Sequence, residues 1–271
     1  MNALGYLGSK SGGSSSLGAG TRIAALLPPA PIYAEPFAGM LGVLLQRQQA
    51  SIEIANDIDQ RIVNWWRALR DHTDELLSLI ELTPWSRNEF LKQTAHLDDA
   101  NIVRQALAVT VVLEQGLTNS LRHGNSWRRN LKGSARSHVW AQLPDRLAVV
   151  AERIKCVQLE CKPAHEIIYR LKHEPEAVLY LDPPYGSAPS AYLYMHDGLD
   201  AVTDAVTNAS ARIAISGYND EWDHLNWHRI EIPCTSTALG NLKKSSRDKR
   251  TEVVWLNYQP PQPRLFDMTT I

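Results

Sequence analysis

Three cysteines, Cys156, Cys161 and Cys234, are too few and too unevenly spaced for a structural zinc site, and they leave an odd thiol. They are read as free thiols of the sort that fill space as small apolar groups. Long apolar runs are missing too. A bilayer span needs roughly 20 consecutive apolar residues, and the best candidate, residues 106–113, is short and flanked by Arg104 and Glu114. The first ten residues lack a basic start followed by an apolar stretch, so no secretory leader is expected and a cytoplasmic location is. Charge of one sign is not in excess either. The formal net charge is -1, so the placement of charges, not their sum, must decide on a polyanionic partner. There is no internal repeat.

What is present is an ordinary globular composition, 44% hydrophobic and 21% charged over 271 residues. That length allows one domain of good size with an inserted subdomain. Residues 9–20 are rich in Gly and Ser and read as a loop. A helix is expected at 21–27, stopped by Pro28, Pro29 and Pro31. A strand at 32–34, a glycine-containing turn, a helix at about 41–48 and a strand at 52–55 would form an opening βαβ unit.

Helical spacing of apolar residues then dominates at 62–82, 102–117 and 143–154. Short strands return at 157–159, 178–181, 213–216, 230–232 and 253–257. The expected architecture is an α/β, parallel-rich sheet formed by residues 1–60 and 156–271. A mainly helical insert at 61–155 would interrupt it.

Three groups of residues bear on chemistry. The strand at 178–181 runs directly into Asp182-Pro183-Pro184-Tyr185. Ligands of open α/β sheets bind beyond the carboxyl ends of strands, so this tetrapeptide stands where a reaction is expected. An exocyclic amine such as that of adenine is a poor nucleophile, because its lone pair is delocalised into the ring. Asp182 and the Pro183 carbonyl would each accept one amine hydrogen and stabilise positive charge developing on nitrogen. The two prolines stiffen that geometry. Tyr185 offers a flat face for a base turned out of a duplex, since a stacked, paired base cannot present its amine. The plain alternative is a structural turn.

The second group is Glu35-Pro36-Phe37-Ala38-Gly39-Met40-Leu41-Gly42, which follows a strand. Small residues there let a cofactor approach the backbone. Asp57, at the end of the next strand, stands where an acidic residue usually meets ribose hydroxyls. A nicotinamide cofactor or a mere tight turn would show the same pattern. The third group is Tyr6-Leu7-Gly8-Ser9-Lys10. Lys10 suits a carboxylate, such as that of a methionine moiety, although a solvated loop lysine is the plain alternative. A phosphate-binding loop fails here on spacing and on the lack of a preceding strand. No metal is called for by these residues.

Arg122, Arg128, Arg129, Lys132 and Arg136 fall in one stretch without an acidic residue, together with Asn125. Lys243, Lys244 and Arg247 form a second basic run. Lys and Arg there would meet phosphates, while Asn or Arg would reach base edges. The alternative for each run is a solvated loop. Trp65 and Trp66, on an apolar helical stretch, are read as core. Trp222, Trp227 and His165 are ambiguous.

In linear order these pieces resemble the Dam-like family of DNA adenine methyltransferases. Tyr6 to Lys10 comes first, then Glu35 to Gly42 with Asp57, a long insert, and Asp182 to Tyr185. The likeness covers nearly the whole chain and extends to Ile215-Ser216-Gly217-Tyr218 and to Arg250-Thr251-Glu252-Val253-Val254-Trp255-Leu256-Asn257. Members carried by bacteriophages and prophages look most alike. The resemblance implies an S-adenosylmethionine site lined by Tyr6, Lys10, Asp57 and Asp182, with Phe37 and Gly39 in the glycine turn. It also implies double-stranded DNA as partner, its adenine received by Asp182, Pro183 and Tyr185.

Two departures bear on cofactor affinity. Leu41 stands where the next glycine is expected and Gly42 follows, and residues 11–20 are longer and looser than usual. A rival reading is an amino-methyltransferase for cytosine, RNA or a protein amide, although related cytosine enzymes commonly carry Ser where Asp182 stands. A second rival is a catalytically silent DNA-binding protein on the same fold. Neither the recognition sequence nor a restriction endonuclease partner can be read from the residues.

Overall fold

A computed structural model describes residues 1–5, 10, 18–121, 125–129, 136–184, 199–232 and 252–260. Among them, seven strands form one sheet in the order β3-β2-β1-β4-β5-β7-β6. These are β1 (Ile32–Glu35), β2 (Ile52–Asn56), β3 (Val157–Glu160), β4 (Ala177–Leu181), β5 (Arg212–Tyr218), β6 (His228–Ile232) and β7 (Glu252–Leu256). β1 to β5 are parallel, whereas β7 runs antiparallel to both β5 and β6. The fold is therefore the α/β, Rossmann-like sheet expected, with an antiparallel edge.

The faces of the sheet follow from the period-2 alternation of side chains. Tyr33, Val178, Tyr180, Ala214 and Val254 point into one apolar core. Their neighbours Ala34, Leu179, Leu181, Ile213, Ile215, Val253 and Trp255 point into another. Every residue of β4 is buried, as expected of a central parallel strand covered on both sides.

The nine helices among the described residues are α1 (Ala19–Leu26), α2 (Gln60–Asp71), α3 (Thr73–Leu82), α4 (Arg87–Thr94), α5 (Ile102–Gln115), α6 (Arg136–Ala141), α7 (Leu143–Ile154), α8 (Ala164–Leu171) and α9 (Leu199–Val206). Buried residues of α2 to α7 share the first core with the sheet. α8 and the buried side of α9 cover the opposite face. α5 is capped by Asn101, whose side chain accepts the N–H groups of Val103 and Arg104, and Asp59 caps α2 in the same manner. Such caps satisfy helix-end donors that have no partner within the helix. An ion pair ties α7 to β2: the partly buried Arg153 donates to both oxygens of the buried Glu53, at 2.6 and 2.7 Å.

Three helical expectations change. The helix at 41–48 is only a 3-10 turn, Leu44–Gln46, because Gly39 and Leu41 take left-handed backbone angles, φ 47° and 52°, that an α-helix cannot contain. The continuous pattern at 62–82 divides into α2 and α3 at His72, φ -131°. α4, α6, α8 and α9 were not anticipated. Trp65 and Trp66 are core, packed edge to face with ring centroids 4.7 Å apart. Trp222 is wholly buried on the second face, and Trp227 packs partly buried against it.

Candidate active site

The topology locates a crevice before any side chain is considered. The connections leaving β1 and β2 run over the first face, through Leu44–Gln46 and α2 to α7. Those leaving β3 and β4 run over the opposite face, through α8 and α9. β1 and β4 are adjacent and parallel, so their following loops diverge and open a cleft at their carboxyl ends. Glu35 ends β1 there, and Asp182 follows β4.

The turn after β1 is held from three sides. Ala38 N–H donates to the Asn56 carbonyl at 2.8 Å, and Gly39 N–H donates to Asp57 Oδ2 at 2.9 Å. Trp66 Nε1–H donates to the Gly39 carbonyl at 2.8 Å. Asn56 is buried and reaches in two directions: its amide donates to the Pro36 and Lys162 carbonyls and accepts from Lys162 N–H. It thereby joins the loops after β1, β2 and β3. Asp57 Oδ1 accepts from Asp59 N–H at 2.9 Å. Burial pushes the Asp57 carboxyl up to about 6, although these N–H groups oppose the shift.

The displaced glycine has a structural counterpart. Leu41, not a glycine, takes the second left-handed position and buries its side chain completely. Gly42 lies against the backbone of Lys10, where an added Cβ would stand 3.2 Å from its nitrogen. Gly20 lies against the carbonyls of both Gly42 and Lys10, and its N–H donates to the latter at 2.7 Å. Three separate segments thus meet at Lys10.

Lys10 is buried and its ammonium lies between two acids, 3.0 Å from Asp182 Oδ1 and 2.7 Å from Glu252 Oε1. Burial alone would lower the lysine's pKa, but Asp182 and Glu252 outweigh it and hold the ammonium above the ordinary lysine range. Glu35 is also buried and accepts a 2.7 Å bond from Tyr33 Oη. Burial, helped by the nearby Asp182 charge, pushes its carboxyl up to about 8, against the bonds from Tyr33 and Leu44 N–H. Beneath Asp182, the buried Tyr180 hydroxyl pairs with Ser216 Oγ at 2.7 Å. Asp182 itself keeps 18% of its side chain open to solvent. A partly open carboxylate over a buried cation can accept hydrogen bonds from a ligand while its orientation is fixed from below.

The structure thus brings Lys10, Glu35, Gly39, Asp57, Asp182, Pro183 and Pro184 to the carboxyl ends of neighbouring strands. Phe37 packs partly buried against the second core. His165 lies in α8 with its ring edge to Tyr169. Tyr6 and Tyr185 lie outside the described residues, as do Arg122, Lys132, Lys243, Lys244 and Arg247. Glu252 was quoted in the sequence only as part of a terminal run. Its signal was an acid heading the otherwise apolar Val253-Val254-Trp255-Leu256.

The basic stretch after α5 folds back on itself through an antiparallel bridge between Gly116 and Trp127. Leu117 N–H donates to Ser126 O and Arg128 N–H to Gln115 O. Asn125, expected to face DNA, uses its amide inside this turn, accepting from Thr118 Oγ1 at 2.9 Å and donating to the Ser120 carbonyl at 3.0 Å. Arg128 is half-buried and donates to the Leu117 carbonyl and to Asn119 Oδ1. Desolvation, with Arg136 nearby, lowers its pKa. Arg129 is exposed, and Arg136 opens α6 partly buried.

Among the described residues there is no group of three or more His, Cys, Asp or Glu placed to hold a metal ion. No helix among them is long and apolar enough to cross a membrane. A family model described as D12 class N6 adenine-specific DNA methyltransferase matches residues 12–226. No curated protein matches. Among solved structures, a conserved hypothetical protein of Streptococcus pyogenes aligns over 88% of this chain and 92% of its own, at 10% identity and TM-score 0.35. A precorrin 8W decarboxylase of Methanobacterium thermoautotrophicum aligns over 93% and 96%, at 10% identity and TM-score 0.37. Similarity of that degree carries no functional weight.

Proposed function

The chain belongs to the D12 class of N6 adenine-specific DNA methyltransferases, and on that footing we propose that it uses S-adenosylmethionine to methylate an adenine turned out of double-stranded DNA, with Asp182 as the amine's acceptor. The observation that carries this reading is the position of Asp182. It follows a central strand at the diverging point of the sheet, partly open above and paired with Lys10 below.

The residues present suit the proposed cofactor. Asp57 takes backbone N–H groups from Gly39, Asp59 and Ile58, and a carboxylate has about four acceptor sites. It therefore retains capacity for ribose hydroxyls. Asp182 and Glu252 against one ammonium leave a net negative charge, which favours a cationic ligand. The turn from Glu35 to Gly42, Asp57 and Lys10 would hold S-adenosylmethionine, which supplies an electrophilic methyl group when bound.

The chain's own part is to bind and orient. Asp182 and the Pro183 carbonyl each accept an amine hydrogen from adenine and offset the positive charge that grows on nitrogen. Lys10 keeps the Asp182 carboxylate in place, while Tyr185 supplies the face against which the extruded base stacks. Alignment of the two reactants would account for much of the acceleration. The exposed Arg129, with Arg122, Lys132, Arg136, Lys243, Lys244 and Arg247, would meet DNA phosphates.

The test is incubation of the purified protein with S-adenosylmethionine and unmethylated DNA of diverse sequence, followed by mass analysis of nucleosides. N6-methyladenine is the expected product. N4-methylcytosine instead would overturn the role given to Asp182, and no methylated nucleoside despite cofactor binding would overturn the DNA reaction.

A further inference from the structure

Lys10 joins two carboxylates, and one of them lies outside the Asp182–Pro184 segment altogether. Glu252 heads β7, two strands away from β4 across the sheet, and it is 5% exposed. Its carboxylate lies closer to the Lys10 ammonium than that of Asp182 does, 2.7 against 3.0 Å. Val253, Val254, Trp255 and Leu256 are fully buried apolar residues, and burying a carboxylate is costly unless it is paired.

We propose that Glu252 is a positioning residue for methyl transfer, acting through Lys10 to keep Asp182 oriented toward the adenine amine. The inference rests on the role given to Asp182 above. Two physical effects support it.

The first is geometric. A lysine arm has four rotatable carbon–carbon bonds, and a single carboxylate at its tip leaves the ammonium free to follow that partner. A second carboxylate on a different strand fixes the ammonium between them. Asp182 is then held by a cation that cannot move with it. Backbone packing supports the same arm from its other end, since Gly20 and Gly42 lie directly against the Lys10 backbone and Gly20 N–H donates to its carbonyl at 2.7 Å.

The second effect is electrostatic. With Asp182 as its only partner, Lys10 would neutralise the acceptor and weaken its pull on the amine hydrogens. Glu252 shares the ammonium, so the three groups together retain one negative charge where positive charge develops on nitrogen. Glu252 does not touch the reacting atoms in this scheme, and its influence arrives through Lys10.

The test compares wild type, Glu252→Gln and Glu252→Asp on the same unmethylated DNA. kcat is expressed per folded molecule, with the folded fraction taken from circular dichroism. Glu252→Gln keeps the size of the side chain and removes its charge. It should lower kcat by about 10-fold or more while KM for DNA stays within about 3-fold. Glu252→Asp restores the charge on a shorter arm, so its kcat should fall between the other two. If Glu252→Gln does not fold, a reduced kcat with unchanged KM in Glu252→Asp supports the inference and full activity there overturns it. Unchanged kcat per folded molecule in Glu252→Gln shows a purely structural role, and a rise in KM alone shows a binding role; either overturns the inference and leaves the proposed reaction standing. A wild type that forms no N6-methyladenine overturns both.

Discussion

The indole N–H of Trp66 donates to the carbonyl of Gly39 at 2.8 Å, so a helix of the segment between β2 and β3 holds the turn that follows β1. Trp66 is buried and Gly39 partly so. Replacing it with Phe keeps an apolar ring but leaves the carbonyl without that donor. The expected cost is about 1–3 kcal/mol, read as a lower urea midpoint. S-adenosylmethionine affinity should fall several-fold, because the turn loses one of its three supports. Unchanged affinity by calorimetry in a folded Trp66→Phe protein would show that the turn keeps its shape without the indole.

Glu35 makes stability depend on pH in a defined direction. Its folded carboxyl is pushed up to about 8, burial being the largest cause, against about 4.3 in an unfolded chain. Between those values the folded state binds more protons than the unfolded state, so stability falls as pH rises through that window. Glu35→Gln removes the titration. The ligand-free variant should lose less stability than wild type between pH 5 and about 8, by on the order of a few kcal/mol at most. Parallel curves of melting temperature against pH for the two proteins would refute this account.

Neighbouring arginines should behave differently. Arg129 is exposed, whereas Arg128 donates to Leu117 O and Asn119 Oδ1 within the folded-back stretch. Arg129→Ala should weaken DNA binding and reduce the salt slope by about one phosphate contact, with stability unchanged. Arg128→Ala should lower stability by about 1 kcal/mol or more as well, since two acceptors lose their donor. Salt titrations by fluorescence anisotropy would decide. An unaltered slope in Arg129→Ala removes that residue from the phosphate contacts.

On the proposed mechanism, Asp182→Ala should abolish formation of N6-methyladenine, because it removes the acceptor assigned to the amine. Tyr185→Ala should chiefly weaken capture of the extruded base, on the order of 1–3 kcal/mol, and so raise KM for DNA. Nucleoside mass analysis with initial-rate kinetics separates the two effects. Full turnover in Asp182→Ala would sink the mechanism.

Much of this was legible along the chain. The strands at 32–34, 52–55, 157–159, 178–181 and 213–216 were found within two residues or so of their observed bounds, because buried apolar residues bounded by turns leave a local pattern. The helices at 102–117 and 143–154 were equally readable from their spacing. Asp57 and Asp182 stood out because each follows a strand directly. The expected helix at 41–48 failed for a local reason of another kind. Leu41 adopts φ 52°, and nothing in a leucine announces a left-handed backbone. Asn125 looked like a base reader because its amide suits one, yet in the folded chain that amide is engaged by Thr118 and Ser120.

By itself the sequence determined which residues face inward, where the strands and most helices lie, and which short segments are fit for chemistry on an amine. Those properties depend on neighbours within one or two turns of chain, where periods of 2 and 3.6 residues are written directly. The tertiary structure alone decided the strand order that opens the crevice between β1 and β4. It also placed Asn56 at the junction of three loops and joined Lys10 to Asp182 and Glu252. A buried lysine, a buried glutamate and a partly open aspartate far apart in sequence carry no mutual mark. Only folding brings them together, and the cost of burying charge then requires that they pair.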